Sequence, residues 1–330
     1  MFIQLQGLFA PQAIADHLRT LPKLKTTIMD VCFPERKQKP FALLGLSEIM
    51  DIIGTVPVIR RGGASVPLDN GNVNITFIEP LPVKPSKTVA GQDLNNLKLI
   101  ISDKGAMNAW VKDYIDMLRQ TCRATTEAIA AQALTGKISW PVKLEGGGWD
   151  TYEIDFGATH TRNPAKMLDA DGASIMDLYN LLSEMETSIQ ESGHGGEIAF
   201  MAGKKAYTTI LKLIEASKTT AKLKVGMEKG KLIVGEYTIV KMAETYRHPK
   251  TKAMVPKVPT DHIVGFATDV TAAVFYCALD DLDAKLQPLP FFPKVIKTPE
   301  GDGLKVIGQS KPLPVRNPKS ICWSKVLNAA

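Results

Sequence analysis

Five histidines, four cysteines, one glycine-rich run and one acidic run are the residues of this 330-residue chain whose types could do chemistry. His17, His160, His194, His248 and His262 stand at neither HExxH nor zinc-finger spacing, and none lies near a cysteine that could complete a tetrahedral set. Cys32, Cys122, Cys277 and Cys322 are scattered, with no CxxC pair, and read as separate reduced thiols in a chain made in cytoplasm. Gly226-Met227-Glu228-Lys229-Gly230-Lys231 approaches a phosphate-binding loop, whose backbone N–H groups would cradle phosphate oxygens. It is one spacer residue short and has Leu232 where a Ser or Thr hydroxyl should hold magnesium, so a turn between two strands is expected. Asp280-Asp281-Leu282-Asp283 offers oxygens to a divalent cation, but a hard-metal cage needs more ligands than one acidic run specifies, and a solvated loop is expected. His194, inside Ser192-Gly193-His194-Gly195-Gly196, is expected in a flexible turn, and no Gly-x-Ser-x-Gly elbow is present. The motifs therefore predict no catalytic, cofactor-binding or metal site.

Composition bounds the remaining classes. At 45% hydrophobic and 22% charged residues the chain describes a soluble globular protein of about two domains. Its apolar runs fall short of the roughly 20 residues a membrane-spanning helix needs. Met1-Phe2-Ile3-Gln4-Leu5-Gln6-Gly7 has no basic segment ahead of an apolar one and does not read as a secretory signal. The formal charge is +6, with basic residues spread apart from short groups such as Glu35-Arg36-Lys37-Gln38-Lys39 and Lys204-Lys205. That pattern predicts a mildly basic solvated surface, compatible with weak, sequence-independent contact with nucleic acid.

Among the elements that must carry any function, an extended hairpin over 56–85 stands out. Asn72-Val73-Asn74-Ile75-Thr76-Phe77 alternates polar and apolar, the period of a strand with one buried face. Asp69-Asn70-Gly71 precedes it, and Asn-Gly tolerates the positive φ of a tight hairpin turn. The other arm is Val56-Pro57-Val58-Ile59-Arg60-Arg61, followed by Gly62-Gly63. The return, Glu79-Pro80-Leu81-Pro82-Val83-Lys84-Pro85, suits an edge strand or extended connector. An isolated two-stranded hairpin is marginal in water. Its apolar face, Val73, Ile75 and Phe77, must lie on the chain's own body or on a neighbouring subunit, and spacing alone leaves both open.

Before the hairpin, Pro22, Pro34 and Pro40 break residues 1–55 into an irregular arm with short helices near 11–21 and 46–53. After it, a long helix is expected from Ser102, a good N-cap, to Gly136, a good C-cap. Met107, Trp110, Val111, Tyr114, Leu118, Cys122, Thr125, Ile129 and Ala133 form its apolar face; Lys104, Asn108, Lys112, Asp116, Arg119, Arg123 and Glu127 form the opposite one. It would run on the order of 50 Å and read as a spine. A hairpin over 138–156 follows, then helices over 172–192 and 203–217 flanking a strand at 198–201. Strands at 231–234 and 237–242, a proline-rich connector over 247–259 and apolar runs at 263–267 and 272–278 come next. A β-rich C-terminus begins near Pro293. Helices and strands segregate rather than alternate, so the class is α+β.

This order of segments resembles tailed-bacteriophage major capsid proteins, and among them the lambda-type major head protein (protein E) family. Arg61-Gly62-Gly63 is similar to the family's Arg-Gly-Gly at the opening of its extended loop. Leu134-Thr135-Gly136-Lys137 is similar to the Leu-x-Gly-Lys that closes its spine helix, and Tyr152-Glu153-Ile154-Asp155-Phe156-Gly157 to Val-x-Val-Asp-hydrophobic-Gly. Gln309-Ser310-Lys311-Pro312-Leu313 with Asn317-Pro318 resembles Gln-Ser-x-Pro-Leu followed by Asp-Pro. The resemblance covers about 45–330; the first 45 residues and the 247–259 stretch depart from it.

The resemblance implies a Hong-Kong-97-type phage capsid fold with N-terminal arm, extended β-hairpin loop, long spine helix, and peripheral and axial domains. In this chain the arm would be 1–55, the extended loop 56–100 and the peripheral domain 101–171, with the spine helix 102–136. The axial domain would mainly occupy 172–284, and 285–330 would be a C-terminal β-rich return to the body. It implies subunit contact through Arg60, Arg61, Asp69, Asn70, Val73, Ile75 and Phe77, and helix packing through Trp110, Tyr114 and Leu118. Implied partners are copies of the chain itself in pentamers and hexamers, a scaffolding protein, a portal, a decoration protein and, non-specifically, packaged DNA, with no membrane. The implied location is the virion capsid, assembled in the host bacterial cytoplasm. An encapsulin-like container, a tail-tube protein and a two-domain cytosolic enzyme are the alternatives. With only about 55 proline-broken residues ahead of the loop, the chain is also expected to lack a large cleaved N-terminal scaffolding domain. Intact mass spectrometry of the protein from mature particles checks this: the full-length mass is expected, and loss of a substantial N-terminal segment refutes it.

Overall fold

The computed structural model describes residues 26–45, 77–90, 104–217, 223–298 and 303–328, with side chains of the long helix from residue 109. The short helices expected near 11–21 and 46–53 and most of the extended hairpin lie outside the described residues. The chain runs through α1 (Thr27–Cys32), β1 (Glu35–Lys39), β2 (Leu44–Gly45), β3 (Phe77–Ile78) and β4 (Ser86–Ala90) into α2 (Lys104–Ala133). Next come β5 (Lys137–Lys143), β6 (Trp149–Asp155), β7 (His160–Thr161), α3 (Ile175–Gln190), β8 (Ile198–Gly203) and α4 (Lys204–Ser217). β9 (Val225–Glu228), β10 (Lys231–Val234), β11 (Tyr237–Met242), β12 (Thr245–Arg247), β13 (Met254–Pro256), β14 (His262–Ala267) and β15 (Ala273–Cys277) follow. The chain ends through β16 (Phe292–Lys297), β17 (Gly303–Gln309), β18 (Pro312–Val315), a 3-10 turn (Pro318–Ser320) and β19 (Ile321–Lys325).

Two compact units form, each from segments distant in sequence. The first gathers the described residues of Met1–Leu43, Glu79–Ala130 and Ala273–Val315; the second gathers those of Leu44–Ile78, Ala131–Ala272 and Arg316–Ala330. The division falls within α2. β15 lies in the first unit, between β1 and β18 in a three-stranded sheet. The β1–β15 pairing is parallel and puts Glu35 beside Ala273, so the basic group Glu35–Lys39 forms an edge strand whose side chains stay exposed or half-buried.

The second unit is built on a mixed seven-stranded sheet of order β7-β19-β14-β8-β11-β10-β9. The β8–β11 pair is parallel, with α4 in the connection between them, a crossover the segregated pattern did not anticipate. Helix α3 covers this sheet for reasons visible locally. Ser174 Oγ accepts from the Asp177 N–H at 3.3 Å and Asp177 Oδ2 accepts from the Ser174 N–H at 2.8 Å, a reciprocal cap at the helix start. Ile175, Leu178, Leu181, Leu182, Met185 and Ile189 recur at helical spacing and are all buried in the core with Phe200, Ile210, Leu232 and Ile239. The Gly226–Lys231 run is the turn between antiparallel β9 and β10, with Lys229 and Gly230 at positive φ. The stretch read as a connector holds an additional short hairpin, β12 with β13.

In the first unit α2 packs on β17. Val111, Ile115 and Leu118 meet Val306, and the half-buried Trp110, Tyr114, Phe291 and Val295 close round them. Gly308 permits the approach: a Cβ there would meet the Phe291 ring at 2.7 Å and Leu118 Cβ at 3.1 Å. Ile115 therefore belongs to the buried stripe, and Glu127, read as solvent-facing, is buried as well. Leu118 is 2% exposed, so Leu118→Ala is expected to destabilise the subunit by roughly 2–5 kcal/mol, measured by denaturant unfolding.

Candidate functional site

Of the residues expected at a subunit contact, Arg60, Arg61, Asp69, Asn70, Val73 and Ile75 lie outside the described residues. Phe77 is described. It pairs with Gly45 across the β2–β3 ladder while Ile78 pairs with Leu44. Strand alternation turns Ile78 and Leu44 inward and leaves Phe77 62% exposed, a large aromatic side chain without cover in the isolated chain. Leu118 is buried; Trp110 and Tyr114 stack at 4.4 Å between ring centroids, and Lys87 Nζ sits 4.5 Å above the Tyr114 ring.

Three segments distant in sequence converge where α2 ends. Gly136 has φ +82°, and a Cβ there would collide with the Gly157 carbonyl oxygen. Only glycine satisfies both the left-handed backbone and that approach. The Phe156 N–H donates to the Gly136 carbonyl at 2.9 Å, joining the end of β6 to the end of the helix. Trp323 Nε1 donates to the Leu134 carbonyl at 2.8 Å, which satisfies one of the carbonyls a helix terminus leaves open. A Cβ on Gly157 would stand 3.6 Å from the Pro318 ring. Just before that proline, Arg316 is buried, donating to the Ala267 carbonyl and, through Nε, to Ser320 Oγ at 3.1 Å; Asn317 Oδ1 caps the 3-10 turn by accepting from the Lys319 N–H. The Leu134–Lys137, Phe156-Gly157 and Asn317-Pro318 motifs are thus one structural knot in the second unit.

The first unit holds its own buried polar frame, which sequence reading missed. Asp281, expected in a solvated loop, is buried: its carboxylate pairs with Lys294 Nζ at 2.6 Å, and accepts from Gln309 Nε2 and the Asp283 N–H. Burial alone would raise its pKa, but those donors outweigh it and hold the carboxyl below its usual range. Lys311 is 1% exposed with Nζ 3.1 Å from Asp280 Oδ2. Gln309, Ser310 and Lys311 therefore lie inside, in the Gln-Ser-x-Pro-Leu motif. The buried Glu127 accepts from the N–H groups of Ile28 at 2.7 Å and Met29 at 2.8 Å, fixing α1 to the long helix. Its only sequence signal was an acidic residue one turn from Arg123, which itself reaches Thr26 and Asp30.

The groups with chemical potential are quiet. Burial pushes the Cys122 and Cys322 thiols up to about 12 and the Cys277 thiol to about 11, so none is a ready thiolate. His194 follows the turn at 191–193, as expected, and is half-buried; burial and the nearby Arg316 hold its pKa down, and burial with Lys319 and Arg162 does the same to His160, which shares a 2.8 Å hydrogen bond with Ser192 Oγ. Among the described residues no cluster of His, Cys, Asp and Glu is placed to hold a metal ion. A cleft of about 300 Å³ in the second unit is lined by residues including Thr135, Thr161, His262, Trp323 and Lys325. Its His262 is paired with Asp261 at 2.8 Å and Asp261 with Lys325 at 3.8 Å. The geometry describes a frame that fixes backbone and leaves apolar surface uncovered.

The model of the family described as phage major capsid protein E matches residues 11–326. The chain belongs to that family. The match begins well before residue 45, where the resemblance in motifs began. The fold is similar to that of the putative capsid protein of a prophage of E. coli CFT073, at 16% identity and TM-score 0.66, with 96% of this chain and 98% of that chain covered. A phage-related protein from Bordetella bronchiseptica RB50 is a remoter likeness at 13% identity and TM-score 0.48, covering 97% of this chain and 98% of that one. No curated protein sequence matches the chain. As a member of the family, this phage major capsid protein is a structural component of the virion rather than an enzyme, and it assembles with itself into the capsid shell.

The Asp281 frame makes acid sensitivity testable. A carboxyl whose pKa is lowered by folding contributes stability in full above its unfolded value, near ~3.9, and loses it as pH falls through the folded value. Asp281→Asn is expected to destabilise by up to about 3 kcal/mol at neutral pH, because it leaves Lys294 without its buried charge partner. The variant should lose less further stability than the wild type below pH ~3.9, as seen in melting temperatures across that range.

Proposed function

We infer that this capsid protein builds pentamers and hexamers of an icosahedral shell around phage DNA, and that the extended loop at 56–100 reaches a neighbouring subunit. The observation that carries the loop's role is Phe77: it continues the alternating apolar face of Val73 and Ile75, and it stands uncovered beside a buried Ile78. An exposed aromatic at the end of a strand pair is costly unless a partner covers it. The residues fit a division of labour in which 101–171 forms the peripheral domain, 172–284 mainly the axial domain, and 285–330 the return to the body. Head-to-tail contacts around fivefold and sixfold axes then close rings that curve into a shell.

The finer partners follow from the same role. A scaffolding protein and a portal would act during assembly in the host cytoplasm, a decoration protein would bind the finished surface, and the net charge of +6 suits weak contact with packaged DNA. Electron microscopy of the expressed chain with its scaffold is expected to show closed shells; persistent monomers would overturn the reading. Phe77→Asp is expected to abolish shells while leaving the circular dichroism of the subunit unchanged, because a charge on a desolvated subunit contact lacks compensation. An unfolded Phe77→Asp subunit would instead place that face inside its own chain.

A further inference from the structure

The hairpin of β5 and β6 has two edges that differ in kind. Its ladder is flanked by hydrogen-bonded pairs, Phe156 N–H to the Gly136 carbonyl and Leu144 N–H to the Gly148 carbonyl. The register between them pairs Ile138 with Ile154, Trp140 with Tyr152 and Val142 with Asp150. Antiparallel pairing alternates, so Lys137, Ser139, Pro141 and Lys143 on β5 turn their backbone groups outward, as do Thr151, Glu153 and Asp155 on β6. The β5 edge is closed. Ser139 N–H donates to Gln132 Oε1 at 2.9 Å, the Lys137 carbonyl accepts from Thr135 Oγ1 at 3.2 Å, and Pro141 has no N–H to offer.

The β6 edge is open. Among the described residues the outward N–H groups of Glu153 and Asp155 have no partner, and β6 is paired on one side only. An unpaired strand edge is a template for another strand unless it is guarded. The guard here is charge of one sign: β6 carries Asp150, Glu153 and Asp155 and no basic residue. Lys137 of β5 meets the Glu153 carboxylate at 3.7 Å, an exposed pair that water screens, so the edge stays acidic. Like charges disfavour pairing of two β6 edges and favour a basic edge instead. Trp149 and Leu144, 39% and 47% exposed at the same end, supply apolar area beside that edge. The face bearing Trp140 is already used, against Tyr246 and His248 at 5.9 and 6.4 Å. Among the described margin strands β1, Glu-Arg-Lys-Gln-Lys, carries three basic residues, with Lys37 in an exposed pair with Glu35 at 2.6 Å; β16 carries two, of which Lys294 is already held by Asp281 at 2.6 Å, so β1 is the better match.

We propose that the open acidic edge of β6 pairs with the basic edge strand β1 of a second copy of this chain, by strand addition, as a contact of the capsid shell. The proposal rests on the capsid reading and assigns one of its interfaces. It joins two different surfaces, a heterologous contact that repeats around a ring and closes. Backbone hydrogen bonds would hold the strands, and the opposite charges would set partner and register.

The test uses the full chain, co-expressed with its scaffold, with shells and capsomers resolved by sedimentation and electron microscopy. Glu153→Pro removes an outward N–H from β6 and leaves the hairpin ladder intact, as Pro141 does in β5; loss of shells with unchanged circular dichroism is expected. Asp150→Lys with Glu153→Lys is expected to give the same loss while keeping every ladder hydrogen bond, although it frees the Thr151 N–H that donates to Asp150 Oδ1 at 2.7 Å, and it keeps the test available if the proline variant misfolds. Adding Lys37→Glu and Lys39→Glu to that double variant should restore shells by reversing both edges. Wild-type shell yield from both β6 variants would overturn the open edge as an interface, and failure of the reversed chain to recover would overturn β1 as its partner. The wild-type chain in the same preparation reports separately on the capsid reading, since its failure to form shells would appear in that control.

Discussion

The close approach of Gly136 to Gly157 is the constraint on which the second unit depends. A long helix must stop abruptly, and the strand pair that follows must return to within contact of its last turn. That geometry leaves no room for a side chain at position 136, and its φ of +82° suits glycine on separate grounds. Once the two backbones meet, the Phe156 N–H reaches the helix end, Trp323 reaches the Leu134 carbonyl, and β19 is held beside β14 and β7. The C-terminal strand is thereby positioned by a helix terminus 189 positions earlier in the chain.

Both units use polar groups to fix backbone rather than to react with anything. Glu127 holds two amides of α1, Asp281 gathers Lys294, Gln309 and the Asp283 N–H, and Arg316 reaches the Ala267 carbonyl. Such buried groups add little net stability over well-packed apolar residues, because desolvation offsets most of their attraction. Their cost on being mispaired is larger, so each penalises alternative packings of the same elements. A shell subunit that repeats many times gains from that discrimination, since a misplaced element would be propagated through every contact.

The exposed apolar groups have the opposite character. Phe77 stands out from a short strand pair, Trp149 and Leu144 from a hairpin, and the β6 edge keeps unpaired donors under acidic side chains. Such features carry little cost wherever a neighbour covers them and a considerable one in a permanent monomer. A rigid polar frame inside and uncovered apolar groups outside is consistent with a protein whose function is its own association.

Local pattern was enough to place much of the secondary structure. The spacing of apolar residues marked the long helix and α3, whose six apolar positions at helical spacing are buried, and strands were expected at the observed bounds of β10 and β11. Those signals are strong because each reflects one element facing one core, a property of residues within a few positions of each other. The failures share a cause. Glu127 was assigned to solvent and Asp281 to a solvated loop, because a charged side chain reads as exposed until its partner is known, and each partner lies elsewhere in the chain. The Ile28 and Met29 amides for Glu127, Lys294 for Asp281 and β15 for β1 came from the tertiary fold alone. The sequence by itself determined the main helices, the strands of clear alternation and the family they resemble. Only the tertiary structure decided which polar groups are interior, because burial of a charge depends on a partner that local periodicity does not encode.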